Sequence, residues 1–238
     1  EVQAIVREST HLRVLGSRHC FNGIADCEEL ISLRRLKNVE LHQAEGRVSV
    51  YGSVTYAELC PLLQEHGFAL PNLASLPHIS VAGAIASATH GAGQENCNLA
   101  TAVVALQLVN GAGEVLDFTD AEPERLRQVI INLGCLGVVT RITLQLETSF
   151  LVCQRCFDGL WLSDISSQEA LDSVLGAAYS VSLWTTWATQ DDDVEFYAWL
   201  KDRVTPAEST LPKVLQRCVE CKEQQHPLKG HDPSACTE

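Results

Sequence analysis

The pattern of apolar and polar positions along the chain predicts short strands and helices punctuated by glycine turns. His11 to Val14 starts a short strand that runs into the polar turn Gly16-Ser17-Arg18-His19-Cys20-Phe21-Asn22. Val39 to Leu41 and Arg47 to Tyr51 alternate as two strands joined around Glu45-Gly46, a hairpin signal. Thr55 with Glu58 three residues on has capping-box spacing; Leu59, Leu62 and Leu63 supply the apolar face of the helix, which Gly67 ends. Ala102 to Asn110, the turn Gly111-Ala112-Gly113 and Glu114 to Phe118 read as another hairpin. A helix entered through Pro123 runs to Ile131, and Gly134 to Leu144 is glycine turn chemistry leading into a β-branched strand.

The pattern changes character near Glu147 to Phe150. From Trp161 it predicts a helix with Ser163 or Asp164 as cap and Leu171, Val174 and Leu175 inside. An aromatic strand, Tyr179 to Trp187, the acidic turn Asp191-Asp192-Asp193 and a strand from Val194 to Leu200 follow, the opening of a second α+β unit.

One stretch stands out, Asn72 to Gly93, NLASLPHISVAGAIASATHGAG. Glycine and alanine remove the side-chain bulk that keeps main chain away from a ligand, and successive N–H groups in tight turns can cradle phosphate oxygens. Ser75, Ser80, Ser87 and Thr89 add hydroxyl donors. A Gly/Ala-rich buried helix with no ligand is the competing reading, against which stand Pro77 near the start and the His90-Gly91 turn at the end. His19 likewise reads either as a side chain projecting from an anion-facing turn or as a surface-loop histidine.

Composition narrows the choice. Of 238 residues, 46% are hydrophobic and 20% charged, values of a globular protein with a sizeable core. The net charge of -13 argues against a nucleic-acid backbone or an anionic membrane as main partner, and a small neutral or polar substrate fits better. No apolar run is long enough to span a bilayer and EVQAIVREST lacks signal-peptide zones, so a cytoplasmic setting is expected. Glu1 as first residue and the absence of methionine read as a natural N-terminus that is missing. The ten scattered cysteines read mainly as buried thiols.

Cys218 and Cys221 form a CxxC followed by His226, His231 and Cys236, a spacing that admits zinc; ordinary loop cysteines are the alternative, and no metal site is assigned. The run Asp191 to Asp193 reads as a solvated turn, since the spaced ligands of a calcium loop are absent. No GxSxG, P-loop or GxGxxG is present, which removes the main support for hydrolase, P-loop and Rossmann readings.

The succession VLGSRHCFNGIAD, SLPHISVAGAIASATHGAG and LGVVTRITL closely resembles the FAD-binding domain of the vanillyl-alcohol oxidase superfamily. Within it, the motifs look like those of the alditol and xylitol oxidases, and AAYSVSLWTTW with the ending HPLKG and CTE looks like the start of their substrate domain. The resemblance implies an α+β protein: a PCMH-type FAD-binding domain of two α/β subdomains over residues 1–148, then part of an α+β substrate domain over residues 149–238. It places Val14, Leu15, Gly16, Ser17, Arg18, His19 and Cys20 in the first phosphate-binding loop, with His19 as the covalent attachment point for the flavin. Arg18 stands where many members have glycine, and Cys20 where serine is common. Ser80, Gly83, Ser87, Ala88, Thr89 and His90 match positions that hold the pyrophosphate and ring system, and Val138 a main-chain contact to the adenine part. Ser75 matches a serine near the reactive flavin edge that also touches substrate, and Ala74 sits where side-chain size affects oxygen access.

The activity this implies is hydride removal from a carbinol carbon of a polyol, such as xylitol or sorbitol, to flavin N5, with oxygen reduced to hydrogen peroxide. The partners are then a small polyol and molecular oxygen, and oligomeric state stays open. In relatives the residues that grip the polyol lie beyond the point matching Glu238, so no catalytic residue is assigned. Two other readings remain: a sugar-lactone (gulonolactone-type) oxidoreductase, and an inactive FAD-binding fragment.

Overall fold

The computed structural model describes residues 1–190, 193–203 and 212–221, which sort into two compact units. One comprises Glu1–His90 and Asn98–Ser149; the other comprises Gly91–Cys97 and the described residues from Phe150 on.

The first unit contains α1 (Val2–Glu8), β1 (Arg13–Leu15), β2 (Leu30–Ser32), β3 (Val39–His42), β4 (Arg47–Tyr51), α2 (Tyr56–Glu65) and β5 (Phe68–Ala69). It continues with α3 (Val81–Ala86), β6 (Val103–Val109), β7 (Val115–Thr119), α4 (Pro123–Ile130), β8 (Val138–Gln145) and β9 (Glu147–Thr148). Its main sheet has five strands in the order β3-β4-β8-β6-β7, antiparallel throughout. β1 and β2 pair in parallel, and β5 with β9 antiparallel.

Local chemistry explains the elements. The β3–β4 hairpin turns through Gly46 at φ 60°, a left-handed conformation that costs glycine nothing because it has no Cβ. α2 starts where the Glu58 carboxylate accepts both the Thr55 N–H and the Thr55 hydroxyl, each at 3.1 Å. Partial burial would raise the Glu58 pKa, but hydrogen bonds from Lys37 and Thr55 outweigh it and hold the carboxyl below its ordinary value. This fastening is therefore present at neutral pH and is lost as pH falls through that lowered value.

β8 is paired on both edges, Val48 opposite Leu144 and Leu106 opposite Ile142. Its buried Val139, Ile142 and Leu144 share one core with Val48, Val50 and the Leu59 and Leu63 of α2. Each such leucine, fully removed from water, contributes about 1.5–3 kcal/mol.

The second unit contains β10 (Val152–Trp161), α5 (Gln168–Leu175), β11 (Ser180–Trp184), β12 (Thr189–Gln190), β13 (Asp193–Arg203) and β14 (Val219–Glu220). The sheet runs β11-β13-β10-β14, with β12 on β13. β13 alternates cleanly, Val194, Phe196, Ala198 and Leu200 being buried in a core with Phe157, Leu160, Val174 and Leu215.

Several expectations change. The predicted helix from Trp161 is two pieces: a 3-10 turn, Leu162–Ile165, whose Asp164 accepts the Trp161 N–H at 3.1 Å, and α5, capped by Ser167 accepting the Ala170 N–H at 3.2 Å. Neither Ser163 nor Asp164 caps α5, because the chain spends an extra turn before the helical bonds begin. The aromatic strand shortens to Ser180–Trp184, since Trp187 turns to a left-handed φ of 59°. The following strand lengthens to Asp193–Arg203 because β10 supplies partners along it.

The expectation of buried cysteines is also corrected. Among the described residues only Cys156 is buried, while Cys20, Cys97 and Cys135 are exposed because they lie in loops, and Cys153 because it sits at the exposed start of β10. Cys60 is partly covered, and burial pushes its thiol up to about 11. Asp191, Asp192, His226, His231, Cys236 and the HPLKG and CTE runs lie outside the described residues. No cluster of three metal-ligating side chains occurs among the described residues, and none of their helices is long and apolar enough to cross a membrane.

Gly137 enters β8 at φ 143°, and a Cβ there would strike the Val109 carbonyl. A Cβ on Gly111, in the β6–β7 turn, would have nothing within 4 Å. Gly137→Ala is therefore expected to lower stability by about 3 kcal/mol, and Gly111→Ala to stay within about 0.5 kcal/mol. Urea unfolding followed by circular dichroism of the two variants checks the contrast.

Candidate functional site

The site is built outward from the loop that precedes α3. The first N–H groups of an α-helix have no partner inside it. In α2, the Tyr56 N–H donates to the Ile79 carbonyl at 3.2 Å and the Ala57 N–H to the Pro77 carbonyl at 2.6 Å, while the Val81 N–H donates to the Val54 carbonyl at 2.9 Å. These bonds fasten residues 77–81 along residues 54–57 and leave the intervening His78 exposed.

Ser80 then joins two segments far apart in sequence. Its Oγ accepts the Gly83 N–H at 3.3 Å and so caps α3, and its own N–H donates to Ser17 Oγ at 3.1 Å. The turn after β1 is thereby held against the start of α3. A Cβ on Gly16 would sit 3.8 Å from Ser80 Oγ, and one on Gly83 only 2.8 Å from it. The same docking brings His19 to His78, ring centroids 4.6 Å apart and planes at 54°.

A third segment closes in from the turn before β8. The Leu133 N–H donates to the Ala86 carbonyl at 3.0 Å, and Arg13 of β1 donates to the carbonyls of Leu133 at 3.2 Å and Gly134 at 3.4 Å. Buried Asn132 shapes this turn, its Nδ2 donating to the Val129 carbonyl and its Oδ1 accepting the Gly134 N–H at 2.8 Å. Between β1 and this turn lies a small open cleft of about 190 Å³ lined by Arg13, Val14, Val109, Gly134, Gly137 and Val138.

Most residues singled out in the sequence come together. Gly16 and Ser17 meet Ser80; His19 meets His78; Val14 and Val138 face one cleft. Ser87 bonds the Gly83 carbonyl and the Thr89 hydroxyl, at 3.0 and 3.1 Å, and Ala88 between them has φ 54°. Leu15, Gly16, Arg18, His19, Cys20, Gly83, Ser87 and His90 are exposed. Ser75 is exposed in the loop before His78, and Ala74 packs against the main core. His78 and Arg13 carry the arrangement without having been picked out from sequence. The signal for His78 was its position directly after Pro77 in the small-residue stretch; Arg13 had none beyond its place in β1.

The small-residue stretch thus satisfies both of its readings in part: Val81, Ala84 and Ile85 form a buried helical face, and Gly83 and Ser87 an open one. An open face without bulk beside turns rich in N–H groups suits a ligand with phosphates and flat rings.

A model of the FAD binding domain family matches residues 1–119. The chain belongs to that family. This FAD-binding chain is 38% identical over 224 residues to an alditol oxidase of a Streptomyces species, 92% of this chain and 51% of that protein. It is 35% identical over 162 residues to L-gulonolactone oxidase of Mus musculus, 66% of this chain and 37% of that one. The chain spans about half the length of the alditol oxidase. A solved cholesterol oxidase of Brevibacterium sterolicum shares the fold, with a TM-score of 0.70 at 15% identity over 85% of this chain and 43% of that one. The resemblance to the vanillyl-alcohol oxidase superfamily is borne out.

The exposed backbone at Gly16 and Gly83 fits FAD, because main chain without a Cβ leaves its surface open to a close-lying ligand. Arg18 is the exception, an arginine at φ 62° where left-handed backbone favours glycine. Arg18→Gly is expected to raise stability by about 0.5–1 kcal/mol, whereas Arg18→Val, β-branched at the same angle, lowers it. Thermal denaturation of the two variants checks the opposite signs.

Proposed function

We propose that this chain is the flavin-holding part of an FAD-dependent oxidase that acts on a polyol such as xylitol or sorbitol. The observation that carries the reading is the 38% identity with alditol oxidase across 92% of the chain. When bound, FAD supplies two-electron redox chemistry, taking a hydride from an alcohol carbon and passing the electrons to oxygen, which leaves as hydrogen peroxide.

The chain's own residues hold and orient. Val14 through Cys20 and Ser80 through His90 offer backbone donors and hydroxyls to the pyrophosphate and ring system, and the Val138 main chain borders the adenine part. His19 carries the covalent bond to the flavin, with the His78 ring against it restricting its rotamers. Ser75 touches the substrate, and the small Ala74 leaves oxygen a path. The FAD-binding domain occupies residues 1–148, and residues 149–238 belong to the substrate domain. The setting is cytoplasmic. The 35% identity with L-gulonolactone oxidase favours a second reading, a sugar lactone in place of the polyol.

Acid denaturation of the FAD-loaded protein is expected to leave flavin fluorescence on the polypeptide, and His19→Ala to release it. Free flavin from the unaltered protein would overturn the covalent assignment. The full-length gene product is expected to generate peroxide with xylitol or sorbitol. Peroxide with gulonolactone alone moves the substrate to the second reading, and none with either class reduces the chain to a flavin-binding module.

A further inference from the structure

The CxxC of Cys218 and Cys221 does not survive folding as a pair. Cys218 packs against the second unit's core, its thiol donating to the carbonyls of Val214 at 3.5 Å and Gly159 at 3.6 Å. Cys221 stands three positions further along an extended chain, so its side chain points to the other face of the sheet.

The register of β14 on β10 gives Cys221 a different neighbour. Asp158 lies opposite Val219 and Phe157 opposite Glu220, so the next step places Cys156 opposite Cys221. The Cys221 N–H donates to the Cys156 carbonyl at 2.9 Å, which shows that the ladder continues through this pair. Directly opposite residues share a face, and here it is the face away from the core, because Cys156 lies opposite Trp199 while Phe157 lies opposite the buried Ala198. Hydrogen-bonded antiparallel pairs hold their Cα atoms about 5.5 Å apart, inside the range a disulfide spans. Gln154 Nε2, two residues along the same face, points to Cys156 Sγ at 3.6 Å. Both cysteines are thiols in this structure.

We propose that Cys156 and Cys221 are a redox pair whose disulfide fastens the edge strand β14 to β10. Hydrogen peroxide is the oxidant. The Cys221 thiolate attacks one peroxide oxygen and breaks the O–O bond, forming a sulfenic acid and releasing hydroxide, which takes up the proton lost from the thiol to give water. The Cys156 thiolate then displaces hydroxide from that sulfur, forming the S–S bond and, after protonation, a second water. In sum two thiols lose two electrons and two protons, and one peroxide becomes two waters. Cys221 takes the first step because it is the less buried of the two. β14 is otherwise held by a ladder with two paired residues on each strand and by the Arg155 guanidinium, which donates to both Glu220 carboxylate oxygens at 2.7 Å.

The pair is tuned to close slowly. Burial, then a hydrogen bond to the Asp158 carboxylate and its negative charge, pushes the Cys221 thiol up to about 12. Little thiolate is present at neutral pH, so brief exposure leaves the pair reduced and sustained peroxide closes it. The inference does not rest on the oxidase reading, because the peroxide is added.

The test is peroxide treatment of the reduced full chain, alkylation of the remaining thiols, and mass mapping of a non-reduced digest. The dominant linkage is expected to be Cys156–Cys221, reversible by dithiothreitol, retained in Cys218→Ser and missing in Cys221→Ser. Asp158→Asn is expected to close at least about threefold faster, since each pKa unit of lowering raises the thiolate fraction tenfold. A dominant Cys218–Cys221 linkage, another pairing, or no linkage after the exposed Cys20 and Cys153 have oxidised overturns the proposal. An unchanged rate in Asp158→Asn overturns the tuning.

Discussion

The first unit depends on a few hydrogen bonds that hold together three segments far apart in sequence. The turn after β1, the two ends of α3 and the turn before β8 are tied to one another by the Ser80–Ser17 bond, the Leu133–Ala86 bond and the reach of Arg13. Glycine at 83 keeps the cap of α3 tight and glycine at 137 lets β8 start close to β6, since an added Cβ would strike Ser80 Oγ or the Val109 carbonyl, whereas one on Gly16 would make only an ordinary contact. A surface that is short of side chains is also a surface where N–H groups remain reachable, which is the property a phosphate-bearing cofactor uses.

The second unit is organised by a different rule, the strict alternation of a two-faced sheet. β13 sends every second residue into the core, and the strands beside it inherit that parity. Parity separates Cys218 from Cys221, which are close in sequence, and places Cys221 with Cys156, which is far away. Spacing motifs presume a compact turn, and an extended strand breaks the presumption.

What the sequence disclosed was local. The hairpins around Gly46 and Gly111, the Thr55–Glu58 start of α2 and the Pro123 entry to α4 each rest on a few neighbouring residues, and each appears. β10 went unread because Gly159 and a register shift between Phe157 and Leu160 interrupt its alternation. The α5 cap fell at Ser167 because Ser163, Asp164 and Ser167 carry equal local signals and only the formed turn decides among them. In the candidate site, the small residues and His19 could be seen from their motifs. The contact of His19 with His78 could not, because it depends on two carbonyls of residues 77–79 capping a helix more than twenty residues earlier.

The place of β8 governs when the first unit can form. Its partners are residues 47–51 on one side and residues 103–109 on the other, so the middle of the sheet stays vacant until the chain has been made past residue 145. A nascent chain that has emerged only through β7 holds two hairpins with facing open edges, each a template for mispairing. Nearly one hundred residues separate Val48 from Leu144, a long-range closure that slows folding. On the ribosome, the last strand of the main sheet to appear is the one that makes its core, so synthesis must run almost to the end of this unit before any of it is secure.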